Sequence, residues 1–268
     1  MIKTTVEKIE HISTAKAAMM DKGILRYFIL SMLAGIYVGF GIILIFSIGG
    51  PLKAAGAAVL KLAMGASFGV ALTLVIFAGS ELFTGNNMIM TIGSLSKKVT
   101  WLKTMELWGV SYLGNLAGSL LLAYGMSVSG LVDQGPVKDL LMTVTADKMS
   151  ASFAQLLIRG ILCNMLVCLA VWMAIAAKEE TAKLILIFWC LFAFIGSGFE
   201  HSVANMTLLG MGVFENTSMA AISWAGYVKN LVPVTIGNVI GGAVFIGAAY
   251  WYVAGNHVPE EAIVGKDK

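Results

Sequence analysis

The sequence predicts an all-α integral membrane protein of six spans, arranged as two inverted three-helix repeats in which helices 2 and 5 are broken at the bilayer midplane. Three observations carry that expectation. Apolar residues make up 58% of the 268 and charged residues only 12%, against roughly 25% charged in an average soluble domain. Hydrophobic blocks recur with the length of about 20 residues that crosses a hydrocarbon core roughly 30 Å thick. Two of those blocks are interrupted by matching polar clusters. The net charge of +3 gives no polybasic surface for nucleic acid. Cys163, Cys168 and Cys190 all fall in apolar segments without metal-ligand spacing, so they read as free thiols, and no metal or cofactor is expected.

Taken in order, residues 1–27 place Val6, Ile9, Ile12 and Met19 among Lys3, Lys8, Lys16 and Lys22, which predicts a cytoplasmic amphipathic helix lying along the membrane surface. This segment lacks the apolar core of a cleavable signal peptide, so the first span is expected to direct insertion. Six hydrophobic blocks follow, at about 28–47, 59–95, 105–126, 153–177, 183–212 and 226–253. They set a first repeat over 28–126, an extracytoplasmic loop over 127–152, a second repeat over 153–253 and a cytoplasmic tail over 254–268.

Block two breaks at Ser80-Glu81-Leu82-Phe83-Thr84-Gly85-Asn86-Asn87, and block five at Gly196-Ser197-Gly198-Phe199-Glu200-His201-Ser202-Val203-Ala204-Asn205. Each break has Glu followed five residues later by Asn, as Asn86 and Asn205. Tyr112-Leu113-Gly114-Asn115-Leu116-Ala117-Gly118 likewise resembles Thr235-Ile236-Gly237-Asn238-Val239-Ile240-Gly241. An odd number of spans per repeat inverts the second copy, and matched broken helices in inverted repeats point to a midplane transport site. Twelve Lys and Arg residues fall on the side that holds both termini and five on the other, so both termini are expected in the cytoplasm of a multi-pass cell-membrane protein.

The breaks also carry the chemistry. Each starts a short helix near the midplane, around Gly85 to Asn87 and around Ala204, whose unpartnered N–H groups and dipole favour an anion. His201 is the only histidine at membrane depth, and an unperturbed pKa of about 6.5 suits it to proton exchange near neutrality. Thr84 is expected to cap the first short helix while offering a hydroxyl to the cavity. Glu81 and Glu200 are costly to bury charged, so they are expected to be protonated or tied to loop N–H groups, Asn115 and Asn238. These four, with Asn205, form the expected loop scaffold. Lys148 stands in the outer loop, where it would concentrate anions if folded over a pore mouth. Phe68, Leu72, Leu82, Val167 and Phe194 have the bulk to constrict a path, although periodicity alone does not select them.

The Glu81-to-Asn86 and Gly198-to-Met206 motifs resemble the formate/nitrite transporter family, and the similarity runs through about 28 to 253. The resemblance implies an aquaporin-like fold, a homopentamer with one pore per protomer, and passage of small monovalent anions such as formate, nitrite, hydrosulfide and chloride. Carried over, the central histidine is His201 and the loop threonine Thr84. Phe68, Leu72, Leu82, Val167 and Phe194 become the constrictions, Lys148 the basic residue over the outer vestibule, and Asn164 a polar residue near the path. Formate-type members follow the threonine with serine and nitrite-type members with glycine and histidine. Here Gly85-Asn86 follows, and hydrosulfide is the anion expected first.

Other classes fit less well. An aquaporin-like pore for neutral solutes would share the fold, but neither break carries Asn-Pro-Ala. An intramembrane hydrolase would need Ser197 or Ser202 in line with His201 inside one short loop, and no GxSxG elbow occurs. The chain is read as a non-enzyme. No nucleotide-binding P-loop is present to drive pumping.

Overall fold

Backbone N–H and C=O groups in hydrocarbon must be satisfied within their own segment, and this chain answers with helices throughout. The computed structural model describes residues 1–216 and 218–255, among which every regular element is helical. The expected tail beyond Gly255, with His257, Lys266 and Lys268, lies outside the described residues.

Helix α1 (Ile2–Lys22) is followed after Gly23 by α2 (Ile24–Ala54). Then come α3 (Leu60–Ser67), α4 (Gly69–Phe77), α5 (Phe83–Leu95) and α6 (Trp101–Val128). The second half holds α7 (Gly135–Ser150), α8 (Phe153–Ala176), α9 (Glu180–Ser197), α10 (Ser202–Glu215) and α11 (Trp224–Val239). A π-helical stretch (Ile240–Ala248) and α12 (Ala249–Val253) continue α11.

Among the described residues, five stretches are long and apolar enough to cross a membrane: Ile24–Ala54, Leu60–Phe77, Phe153–Ala176, Glu180–Ser197 and Trp224–Val253. Helix α6, expected as an ordinary span, is not one of them despite its 28 residues. Ser111, Asn115 and Ser119 on its inward face are fully buried and lower its hydropathy.

Helices α2 and α6 cross in close contact, as do α8 and α11, and glycine sets both distances. A Cβ on Gly118 would lie 2.0 Å from the Met32 carbonyl oxygen, and one on Gly237 2.3 Å from that of Leu157. Small residues at helix crossings let backbones approach where no hydrophobic force drives association. The two crossings hold Asn115 and Asn238 against the two breaks.

Two elements differ from expectation. The apolar face of helix α1, expected against lipid, is turned onto protein: Val6 and Ile9 are fully buried where the helix packs chiefly on α5. Its lysine-rich polar face conceals this docking in the sequence. The segment over 127–152 is not an open loop but carries the 16-residue α7. Leu140, Leu141, Thr145 and Met149 form a buried stripe on α7, packed against α2, and they fix it as a helix.

Candidate functional site

Each break is held open by an asparagine from the second helix after it, Asn115 on α6 and Asn238 on α11. The Asn115 Oδ1 accepts from the Phe83 N–H at 2.9 Å, while its Nδ2 donates to the carbonyls of Ser31 (2.7 Å) and Glu81 (2.9 Å). Asn238 repeats the pattern: its Oδ1 accepts from the Ser202 N–H at 2.8 Å, and its Nδ2 donates to the carbonyls of Gly160 (2.8 Å) and Glu200 (3.0 Å). Each amide thereby satisfies one N–H and one carbonyl of the break, and ties them to a carbonyl of a neighbouring helix. The short helices start at Phe83 and Ser202, slightly before the positions expected. Their leading N–H groups are also less free than expected, since Asn115 and Asn238 occupy the first of each.

The glutamates take different partners from those expected. Asn115 and Asn238 bind their backbone carbonyls, and each carboxylate goes to a lysine. Lys16 lies 2.7 and 2.6 Å from the two Glu81 oxygens, with Tyr27 Oη donating to Oε2 at 2.7 Å and Asn86 Nδ2 at 3.1 Å. Lys148 Nζ donates to Glu200 Oε2 at 2.7 Å, and Asn205 Nδ2 donates to the same oxygen at 2.6 Å. The spacing of five from Glu to Asn closes a hydrogen bond in both breaks. Lys148 therefore sits on α7 paired with the buried Glu200, its own side chain partly exposed.

His201 caps α10 with its ring: Nδ1 accepts from the Ala204 N–H at 3.1 Å, and Nε2 lies 3.0 Å from Thr84 Oγ1. A ring whose Nδ1 accepts carries its proton on Nε2, so Nε2–H donates to the Thr84 oxygen. Thr84 does not cap its own helix as expected, because α5 begins one residue earlier and its N-cap is Leu82. Its hydroxyl hydrogen is then left to another acceptor. The His201 ring also stacks on Phe194 at 6.0 Å between centroids, and Phe194 meets Phe68 edge-on at 5.5 Å.

Three cavities follow one another through shared wall residues; His201 lines two of them, and the fully buried Thr84 lines none. The larger vestibule, about 410 Å³, is bounded by Lys16, Leu72, Gly79, Glu81 and Leu82 among others. Leu72 and Leu82 also face a chamber of only about 10 Å³, whose walls include Val38, Phe68, Val167, Leu191, Phe194 and His201. Phe194 and His201 in turn face a second vestibule of about 200 Å³ that contains Lys148, Glu200 and Asn205. Among the described residues, His201 is the one polar side chain in the chamber wall.

The structure thus gathers all five bulky residues singled out from the sequence around one chamber, with Thr84 behind His201. It does not bring Asn164 to any of the three cavities. Asn164 is fully buried, with Nδ2 donating to the carbonyls of Thr84 (3.2 Å) and Asn238 (2.6 Å) and to Asn87 Oδ1 (3.1 Å). It couples the two breaks from behind. Sequence reasoning missed Lys16, Tyr27 and Asn230, whose Oδ1 accepts from Asn205 Nδ2 at 2.9 Å. It also missed Val38 and Leu191 in the chamber wall. The repeat was the available signal, since a lysine on Glu200 calls for a counterpart on Glu81.

A family model described as Formate/nitrite transporter matches residues 3–252. The nitrite transporter NirC of Escherichia coli (strain K12) is 44% identical over 256 residues, covering 94% of this chain and 92% of that protein. Among solved structures, one described as an FNT family ion channel superposes with a TM-score of 0.88 at 43% identity, covering 93% of this chain and 98% of the other. A pentameric formate channel with formate bound gives 0.72 at 30% identity, covering 87% and 98%.

Proposed function

Because this chain belongs to the formate/nitrite transporter family, we propose that it is a channel for small monovalent anions of weak acids, with its path running through the three successive cavities. The observation that carries this reading is the apolar chamber with His201, backed by Thr84, between two vestibules that each hold a lysine–glutamate pair. In this reading six spans cross the membrane: α2, α3 to α5, α6, α8, α9 to α10, and α11 to α12. The two half-chains are inverted repeats over 28–126 and 153–253, and both termini face the cytoplasm. By analogy with the pentameric formate channel, five protomers assemble with one pore each.

The chamber wall carries a neutral imidazole among apolar side chains, and stripping water from an unpaired ion in such surroundings costs on the order of tens of kcal/mol. The anion therefore takes a proton from the water of one vestibule, leaving hydroxide there, crosses the constrictions formed by Phe68, Leu72, Leu82, Val167 and Phe194 as the neutral acid, and returns the proton to the water of the other. His201, held from behind by Thr84, orients the acid's polar atoms within the chamber. Hydrosulfide suits this route best, since it is small and a stronger base than formate or nitrite. The identity to a nitrite transporter favours nitrite as a second reading.

Flux through purified protein in sealed liposomes, comparing hydrosulfide, formate, nitrite, chloride and glycerol at two pH values, tests both. We expect weak-acid anions to pass faster at the lower pH, chloride to lag, and hydrosulfide to lead. Nitrite leading would establish the second reading. Glycerol flux without anion flux would overturn the proposal in favour of a neutral-solute pore.

A further inference from the structure

The larger vestibule is roofed by α1, with Ile12 and Lys16 in its wall and Lys16 bound to Glu81. With α1 docked, the permeant species needs a way around that helix. A second crevice, of about 630 Å³, opens at the surface on one flank of α1 and contains Lys8, His11, Phe77, Ala174 and Lys183. Ile12, Ile76 and Val171 line both spaces, so a sill of three apolar side chains is what lies between the crevice and the vestibule.

The two flanks of α1 differ in charge. On the flank of Met19, Leu30 and Gly79, the charged groups of the vestibule wall are Lys16 and Glu81, which neutralise one another. The crevice carries Lys8 and Lys183 against the single carboxylate of Glu180, with His11 beside them. Lys8 Nζ donates to the Ile175 carbonyl at 3.2 Å, which offsets the negative end of α8 that would otherwise face the crevice. Lys183 is paired with Glu180 at 2.7 Å, so the net positive charge of the crevice rests on Lys8. A mouth with excess positive charge and low-dielectric walls raises the local anion concentration.

We infer that this crevice is a side portal through which anions reach the larger vestibule with α1 in place, and that Lys8 and Lys183 form a shallow pre-binding site for them. The inference rests on the anion-channel reading above. The portal recruits the anion at Lys8 and Lys183, passes it over Ile12, Ile76 and Val171, and delivers it beside Lys16 and Glu81.

The test is site-directed blocking in full-length protein reconstituted in liposomes, with formate as the permeant probe because it does not attack disulfides. Phe77→Cys places a thiol in the portal, and Met19→Cys places one on the opposite flank of the vestibule. The three native cysteines are buried. A bulky, membrane-impermeant disulfide-forming reagent on the Phe77→Cys variant is expected to cut flux about tenfold, about 1.4 kcal/mol on the barrier, with recovery on reduction. The same reagent on Met19→Cys is expected to leave flux within about twofold. Separately, Lys8→Gln with Lys183→Gln should raise the half-saturating formate concentration about two- to threefold at unchanged maximal flux.

Unaltered flux after complete labelling at position 77, verified by mass, would overturn the portal. So would full block at position 19 with none at 77, or an unchanged half-saturating concentration in the lysine variant. Absence of formate, nitrite and hydrosulfide flux in the unlabelled protein would instead remove the anion-channel reading itself.

Discussion

The Thr84 and His201 side chains meet at 3.0 Å, each from the start of a different short helix, and His201 has no polar neighbour in the chamber wall among the described residues. Replacing Thr84 with valine keeps the shape but leaves the Nε2–H of a buried ring without an acceptor. An unsatisfied buried donor costs about 1–3 kcal/mol. We expect Thr84→Val to reduce anion flux by about tenfold to a hundredfold if that cost falls on the occupied chamber. Thr84→Ser, which keeps the hydroxyl, should retain most of the flux in the same liposome assay. His201→Phe removes both the donor and the ring cap on the Ala204 N–H. Its flux-versus-pH curve should differ in shape and anion ranking from the wild type; superimposable curves would show that the ring takes no part in selection. His201 and Thr84 stood out in the sequence because polar side chains inside an apolar run are costly in hydrocarbon, but their contact with each other across 117 residues did not, nor did the position of Thr84 behind the chamber wall. Lys16 was not legible. It reads as one of several solvated lysines on an amphipathic helix, and its carboxylate partner is 65 residues away.

The buried interruptions between α4 and α5 and between α9 and α10 persist because other helices complete their backbone hydrogen bonds. Asn115 and Asn238 each pair two backbone groups of a break, an N–H and a carbonyl, and tie them to a carbonyl of a neighbouring helix. Asn115→Ala and Asn238→Ala are each expected to lower stability by about 2–4 kcal/mol, because several buried groups lose partners at once. A fall in the thermal transition in detergent, followed by tryptophan fluorescence, measures this, with similar shifts for the two variants. Asn115→Asp, which retains Oδ1 but exchanges the amide donor, should be nearly as damaging. The glycine crossings make a second prediction. Gly118→Leu has no room beside the Met32 carbonyl, so α2 and α6 must separate and the folded protein should be largely lost from the membrane fraction. Such crossings were legible as repeated Gly-Asn motifs, and the breaks as interruptions. Helix α7 was not, because its apolar stripe is short and the polar residues between its members give the segment the composition of a loop.

At the scale of the whole molecule, the correspondence between the halves extends beyond the six hydrophobic blocks. Helices α1 and α7 precede the two halves, and each sends a lysine to the glutamate of a break: Lys16 to Glu81 and Lys148 to Glu200. The lysine side chains are 15% and 18% exposed and the glutamates 7% and 3%, so the two pairs stand in similar surroundings. Removing one member of such a pair strands a buried charge, at a cost of about 3–5 kcal/mol for a fully buried pair and less where water reaches the lysine. Lys16→Met and Lys148→Met should therefore each destabilise the protein by about 2–3 kcal/mol, and by nearly the same amount. Replacing the partner as well, in Lys16→Met with Glu81→Gln or Lys148→Met with Glu200→Gln, removes the stranded charge and should restore most of that loss. Thermal unfolding in detergent across the four variants reads this directly. If the single variants unfold like the wild type, the pairs are solvated contacts that contribute little, as exposed ion pairs do. If only one pair behaves as predicted, the two ends of the path are not equivalent, and the equivalence of α1 with α7 fails. Restoration of stability without restoration of flux would separate the two roles of each lysine: neutralising its glutamate and presenting charge to the vestibule. That split is expected at both ends, because each lysine lines a vestibule as well as closing an ion pair.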